Sequence, residues 1–207
     1  MQHLNGKTIC VIDCETTGLD PRHNEIWQIC ILPLNGALKV DKTKIPFYIL
    51  MKPEHPEYID WNVPVFKKNK TQIMEAMKRG HDQLAAISML DEWVDKLGLS
   101  YNKYGNRHLI EPLGQNYCFD KGFIEQWLGV ERYQEIFDYH YRDTMHAALY
   151  LNDRAGMHAE VVPYSKVNLQ WLCKKLGVIN NNSHDALSDC VSTAECYRKM
   201  CLLGMFR

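Results

Sequence analysis

Thr8-Ile9-Cys10-Val11-Ile12-Asp13-Cys14-Glu15-Thr16-Thr17-Gly18-Leu19 is the stretch on which the reading of this chain turns. Thr8–Ile12 is a short, apolar, β-branched run that predicts a buried strand, and Thr16-Thr17-Gly18-Leu19-Asp20-Pro21 is a turn-rich exit from it. Side chains alternate faces along a strand, so Asp13 and Glu15 point the same way while Cys14 points into the opposite layer. Two carboxylates then share one small space. Like charges that close raise each other's pKa unless a cation neutralises them, which makes the pair either a metal site or a strained liability. The plainer alternative is a pair of acids at a strand end that cap the following turn.

Working outward, Ile26–Leu34 and Phe47–Met51 are further strand-like runs that end at Pro or Asn-Gly signals, so the chain opens with a meander of three strands. From Thr71 to Leu97 the period becomes helical. Ile73, Met74 and Met77 form one stripe, Leu84, Ile87, Leu90, Trp93, Val94 and Leu97 another, with a break around Gly80. His108–Leu113 predicts another strand and Asp120–Leu128 a short helix. Met145–Leu151 predicts a helix entered from the strand-like Tyr139–Arg142, and Leu169–Leu176 and Ala186–Leu203 close the chain as helices. A meander followed by alternating strands and helices predicts an α/β mixed sheet flanked by helices. Ser100–Arg107 and Gly156–Lys166 read as surface loops, and no repeat, low-complexity tract or linker divides residues 1–207, which predicts one domain.

Bulk properties agree. With 207 residues and 46% hydrophobic content the chain can build one sizeable core and is short for two. A formal net charge of -1 excludes a generally basic protein that coats nucleic acid, so any polyanion must be held by a local patch or by metal ions. The cysteines at 10, 14, 30, 118, 173, 190, 196 and 201 form no C-x-x-C pair and no zinc-like set, and read as reduced, mostly buried thiols of a cytoplasmic protein. Met1–Lys7 is polar and nowhere do eighteen apolar residues run together, so neither a signal peptide nor a membrane partner is expected.

Two later stretches carry further acids. In Gly114-Gln115-Asn116-Tyr117-Cys118-Phe119-Asp120 an acid leaves a strand and opens a helix, where Asp ordinarily acts as an N-cap. In Ser183-His184-Asp185-Ala186-Leu187-Ser188-Asp189, five positions along a continuous helix turn about 500°, so His184 and Asp189 would not share a face. His184 is therefore expected on the loop that enters the helix, with Asp185 or Ser183 as the cap and Asp189 projecting from the first turns. A surface histidine at a solvated helix start is the competing reading.

In this order, D-x-E-T-T-G-L at Asp13–Leu19, G-x-N-x-x-F-D at Gly114–Asp120 and H-x-A-x-x-D at His184–Asp189 resemble the DEDDh exonucleases. This is the DnaQ-like family that includes proofreading subunits, RNase T and oligoribonuclease. Arg142-Asp143-Thr144 before a helix, and Leu169–Cys173 with Leu176-Gly177-Val178, are lesser echoes, and the resemblance spans essentially the whole chain. The resemblance implies an RNase H-like fold: an α/β, five-stranded mixed sheet in which an antiparallel meander is followed by parallel strands. It also implies a two-metal 3′-to-5′ exonuclease that releases 5′-mononucleotides. By the family pattern Asp13 bridges two Mg²⁺ or Mn²⁺ ions, Glu15 and Asp189 complete one site, Asp120 holds the second ion, and His184 is the general base. The family further places Thr16, Thr17, Gly18 and Leu19 against the terminal nucleotide, with Leu19 wedged beside the last base. Phe119 is expected to pack beneath the motif in preference to stacking a base, and Asn116 either orients substrate or stabilises the turn.

Single-stranded or frayed DNA 3′ ends are the expected substrate, with RNA 3′ ends or short oligoribonucleotides as the rival, because nothing in the motifs selects between the sugars. A DNA polymerase or replication partner is compatible with the family, and no specific oligomer interface is identifiable. Lys67, Lys68 and Lys70 read as a solvated charge run in preference to a phosphate track. A catalytically silent nucleic-acid- or polymerase-binding module is the alternative of a different class; such a module has no reason to crowd four carboxylates and a histidine. A zinc hydrolase is disfavoured because oxygen-rich ligands suit Mg²⁺ or Mn²⁺ better.

Overall fold

The central strand, β1 (Thr8–Thr16), pairs antiparallel with β2 (Ile26–Pro33) and parallel with β4 (Ile110–Gly114). Outside these, β3 (Phe47–Leu50) lies antiparallel on β2, and β5 (Arg142–Asp143) lies parallel on β4. The result is a five-stranded mixed sheet of order β3-β2-β1-β4-β5. These relationships come from a computed structural model that describes residues 6–59, 61–180 and 182–203. Most of the polar stretch Met1–Lys7 thus lies outside the described residues.

Eight α-helices are described: α1 (Pro64–Lys68), α2 (Lys70–Arg79), α3 (Gln83–Lys96), α4 (Tyr117–Leu128), α5 (Val130–Ile136), α6 (Thr144–Met157), α7 (Leu169–Leu176) and α8 (Ala186–Leu203). Every residue of β2 is buried, as expected for a strand covered on both faces. The two faces of β1 explain the layers. Cys10, Ile12 and Cys14 join a core with Leu90, Val94, Phe123 and Ile124 of α3 and α4. Ile9 and Val11 join a second core with Ala186, Cys190 and Ala194 of α8. Asp13 and Glu15 continue the Ile9–Val11 face, so the pleat directs both acids to the side on which α8 begins.

The meander, the helices on either side of Gly80, and the limits of α7 and α8 agree with the periodicity. Other limits differ for physical reasons. β1 runs past Ile12 to Thr16 because Asp13, Cys14 and Glu15 remain paired with β2; only between Glu15 and Thr16 does the register slip. A slip of this kind kinks a strand and re-aims its side chains. α4 begins at Tyr117, so Asp120 is not its N-cap. The first-turn N–H of Tyr117 is satisfied instead by Asp143 Oδ2 at 2.6 Å, a contact from β5 that no local pattern contains. The strand at Tyr139–Arg142 is shorter and later than expected, because parallel pairing reaches only Leu113 and Gly114. α1 and α5 are too short for a periodic signal, although each buries an apolar anchor, Phe66 in α1 and Tyr133 and Ile136 in α5.

All eight cysteines are free, and Cys10, Cys14, Cys30, Cys173, Cys190 and Cys196 are buried. Among the described residues no helix is long and apolar enough to cross a membrane.

Candidate active site

The strand end, the first turns of α4 and the start of α8 converge on a cleft of about 440 Å³. Its walls include Asp13, Glu15, Thr16, Thr17, Gly18 and Leu19 from β1 and its exit, Asn116 at the cap of α4 with Phe119 and Asp120 inside it, and His184 and Asp189 from the last helix start. Each residue singled out in the three motifs therefore faces one space.

The turn after β1 is tied down by its own side chains. Thr16 Oγ1 donates to the Gly18 carbonyl at 2.7 Å, and Thr17 Oγ1 accepts the Glu25 N–H at 2.9 Å while the Thr17 N–H donates to the Glu25 carbonyl. A Cβ on Gly18 would meet the Asn24 side chain at 2.2 Å, so only glycine allows Asn24 to lie there and accept the Asp20 N–H. Thr16 and Thr17 are consequently buried and shape the turn through their side chains, whereas Leu19 stands 81% exposed at the rim.

Asp120 sits inside the first turn of α4, buried, with Oδ1 accepting the Cys14 N–H across the sheet edge at 2.8 Å. That bond fixes the carboxylate relative to Asp13 and Glu15, the two neighbours of Cys14. Asn116 occupies the left-handed region (φ 60) at the cap position, with no side-chain cap of its own. A Cβ on Gly114 would lie 2.8 Å from that of Tyr117, so glycine is required where the chain doubles back from β4 into α4. Phe119 packs against the core with its ring 5.0 Å from that of Phe123, in agreement with a supporting role, yet one side still lines the cleft.

His184 lies on the loop before α8, exposed, at φ 69. Positive φ is rare for a non-glycine residue and persists only when its surroundings enforce it. Here the His184 N–H donates to Asp189 Oδ2 at 3.1 Å, while Asn180 Nδ2 donates to Asp189 Oδ1 at 2.6 Å. Asp185 is the cap, accepting the Ser188 N–H at 3.0 Å. Its other oxygen accepts Tyr48 Oη at 2.7 Å and Gln28 Nε2 at 3.3 Å, and Gln28 Oε1 in turn accepts the Ala186 N–H at 2.9 Å. β2 and β3 thus hold the start of α8.

Electrostatics make the cleft a strongly unfavourable place for its own charges. Burial pushes Glu15 up to about 8, with Asp189, Asp120 and Asp185 adding to the effect and Lys68 opposing it. Burial raises Asp120 to about 7 against the stabilising N–H of Cys14. Asp13 is held well above the ordinary carboxylate range by burial and then by Asp120, Glu15 and Asp189. Asp189 is raised by burial despite its bonds from Asn180 and His184. Among the described residues the ion pairs lie elsewhere, for example Arg142 with Glu111 and Lys7 with Asp138.

Glu15, His184 and Asp189 each offer a ligand atom within 4.8 Å of the other two. Together with the mutual repulsion of the acids, this oxygen-rich set fits a hard divalent cation. Asp13 and Asp120 line the same cleft but do not belong to that three-residue cluster.

Several residues that position the site carry no catalytic motif. Asp143, Asn180, Gln28 and Tyr48 act through hydrogen bonds over 26, 9, 158 and 137 positions. Only Asp143 had a local signal, as the acid before a helix. The lysine cluster is exposed, as expected of a solvated run, and within it Lys70 Nζ lies 5.5 Å over the ring of Trp61 while Lys68 Nζ contacts Ser183 at 3.3 Å.

Residues 10–197 match a family model of the RNase T type, described as exonuclease. Among curated proteins the chain is similar to DNA polymerase III PolC-type of Listeria monocytogenes serovar 1/2a, with 26% identity over 195 residues, 92% of this chain and 11% of the polymerase. It therefore spans about a tenth of the length of the curated relatives it matches. In fold it is similar to E. coli Exonuclease I in complex with a dT13 oligonucleotide, with TM-score 0.64, 18% identity, and 93% of this chain and 40% of that chain covered. It is likewise similar to the nuclease domain of 3′hExo, a DEDDh family member, bound to rAMP, with TM-score 0.67, 17% identity, and 98% and 95% covered.

Proposed function

This chain belongs to the RNase T exonuclease family, and from that premise we propose that residues 1–207 form one 3′-to-5′ exonuclease domain releasing 5′-mononucleotides. The observation that carries the reading is the convergence of Asp13, Glu15, Asp120, His184 and Asp189 on one cleft from three separate elements. Asp13, Glu15, Asp120 and Asp189 hold two Mg²⁺ or Mn²⁺ ions. When bound, such cations neutralise the acids and stabilise charge on the attacking and leaving oxygens of a phosphodiester.

The chain's own groups supply the rest. His184, on its constrained loop at the rim of the cleft, accepts a proton from the attacking water. The turn from Thr16 to Leu19 abuts the terminal nucleotide, and the exposed Leu19 side chain wedges beside the last base. That rim accounts for attack at an end and not within a strand. Asn116 and Phe119 complete the wall opposite.

Single-stranded or frayed DNA is the proposed substrate. Support comes from the match within a DNA polymerase and from the likeness to a nuclease solved with dT13. The same observations support a replication or repair setting, with a DNA polymerase as partner. The likeness to a nuclease domain solved with rAMP supports RNA trimming as the second reading.

The deciding experiment compares 5′-labelled single-stranded DNA, duplex DNA, RNA and a dinucleotide with Mg²⁺ and with Mn²⁺. A ladder shortening from the 3′ end, fastest on single-stranded DNA, is expected. Cleavage of circular single strands at a comparable rate would show an endonuclease instead.

A further inference from the structure

One wall of the cleft comes from residues 63–69, a segment without a catalytic motif. Val63, Val65 and Phe66 line the cleft, and the following residues reach the loop that carries His184. Lys68 Nζ donates to the carbonyl and to the hydroxyl of Ser183, each at 3.3 Å. Buried Asn69 reaches the His184 carbonyl at 3.5 Å. These contacts join segments 115 positions apart and converge on the residue in the left-handed conformation.

Lys68 is unlike the lysines beside it. All three are exposed, but the Lys70 ammonium lies over Trp61 whereas that of Lys68 reaches Ser183. An ammonium has three donors, and the Ser183 carbonyl and hydroxyl that accept from Lys68 are neutral oxygens at the long end of hydrogen bonding. Among the described residues it forms no ion pair, and its charge opposes the rise in the pKa of Glu15. Lys68 is thus a protein cation beside an acidic cleft, with donors free for an anion.

We propose that Lys68 binds a non-bridging phosphate oxygen of the substrate backbone in this cleft, trading its neutral Ser183 acceptors for an anionic one. The inference rests on the exonuclease reading and extends it. A phosphate oxygen adds a charge–charge attraction to the ammonium that the neutral Ser183 oxygens cannot supply, so the exchange is favourable. Lys68 is in this sense a substrate ligand.

The test compares the wild-type chain with K68A, K68R and K67A. Binding of a single-stranded oligonucleotide with a phosphorothioate 3′ linkage is measured by anisotropy across a salt series, and steady-state kinetics are measured on the unmodified strand. K68A is expected to weaken binding about tenfold and to flatten the log Kd against log salt slope by about 0.7, the value for one lost phosphate contact on a single strand. KM should rise with kcat within about threefold, K68R should recover most of the binding, and K67A should match wild type. A wild-type slope in K68A, an equal loss in K67A, or a fall in kcat alone overturns the phosphate contact and leaves the exonuclease reading intact. A wild-type chain that neither binds nor trims the strand overturns both.

Discussion

Tyr48, on the edge strand β3, donates its hydroxyl to Asp185 at the start of α8, 2.7 Å away in space and 137 positions away in sequence. The bond fastens the edge of the sheet to the residue next to His184. Gln28 completes the brace by accepting the buried Ala186 N–H and donating to the same carboxylate.

Loosening this brace should lower activity without touching the acids. Tyr48→Phe removes one bond to a carboxylate and is expected to cost about 1 kcal/mol of stability. Gln28→Leu leaves the Ala186 N–H without its acceptor and should cost more, about 1–3 kcal/mol. Denaturant titrations give the stabilities. In both variants kcat should fall further than KM rises, since His184 loses its placement; unchanged kcat in both would remove the brace from the catalytic account.

The raised carboxylates predict an inverted pH dependence of stability for the metal-free protein. Glu15 at about 8 and Asp120 at about 7 retain protons in the folded state that the unfolded chain releases near 4.5 and 3.8. The folded state therefore binds more protons between those limits, and stability falls as pH rises through the window. Melting in EDTA should show a lower Tm at pH 8 than at pH 5.5. Mg²⁺ at pH 8 should restore it by several degrees, at about 2–4 °C per kcal/mol for a chain of this size. A Tm that rises with pH in EDTA would contradict the burial of these acids.

Asp120→Asn separates stability from function. The amide oxygen can still accept the Cys14 N–H while the repelling charge is lost. The variant should melt higher than wild type in EDTA at pH 8 and yet lose more than about a thousandfold in activity. Calorimetry with a nuclease assay on the same preparation measures both, and a near-normal rate would remove Asp120 from the ion site.

His184→Asn tests the general base. Asn tolerates the left-handed region that His184 occupies, so the loop should keep its course. Activity is expected to fall about 10²–10⁴-fold, chiefly in kcat. An Asn variant that keeps a near-normal kcat would assign proton transfer to another group.

The β1 acids and the loop position of His184 were legible because each rests on local rules. Strand pleat puts Asp13 and Glu15 on one face, and helix geometry separates His184 from Asp189. Local rules also mislead where a distant group substitutes for a near one. Asp120 reads as a cap until Asp143 supplies the Tyr117 N–H from β5.

Sequence alone therefore determined the mixed α/β sheet, the family and the acids and histidine that meet in the cleft, because period, turn chemistry and motif order are properties of neighbouring residues. Tertiary structure decided which groups hold them: Gln28 and Tyr48 behind Asp185, Asn180 on Asp189, Asp143 on α4, and Lys68 and Asn69 on the His184 loop. The physical reason is that hydrogen bonds and charge act through a few ångströms of space. No spacing along the chain encodes which distant segments packing of the sheet and helices brings within that reach.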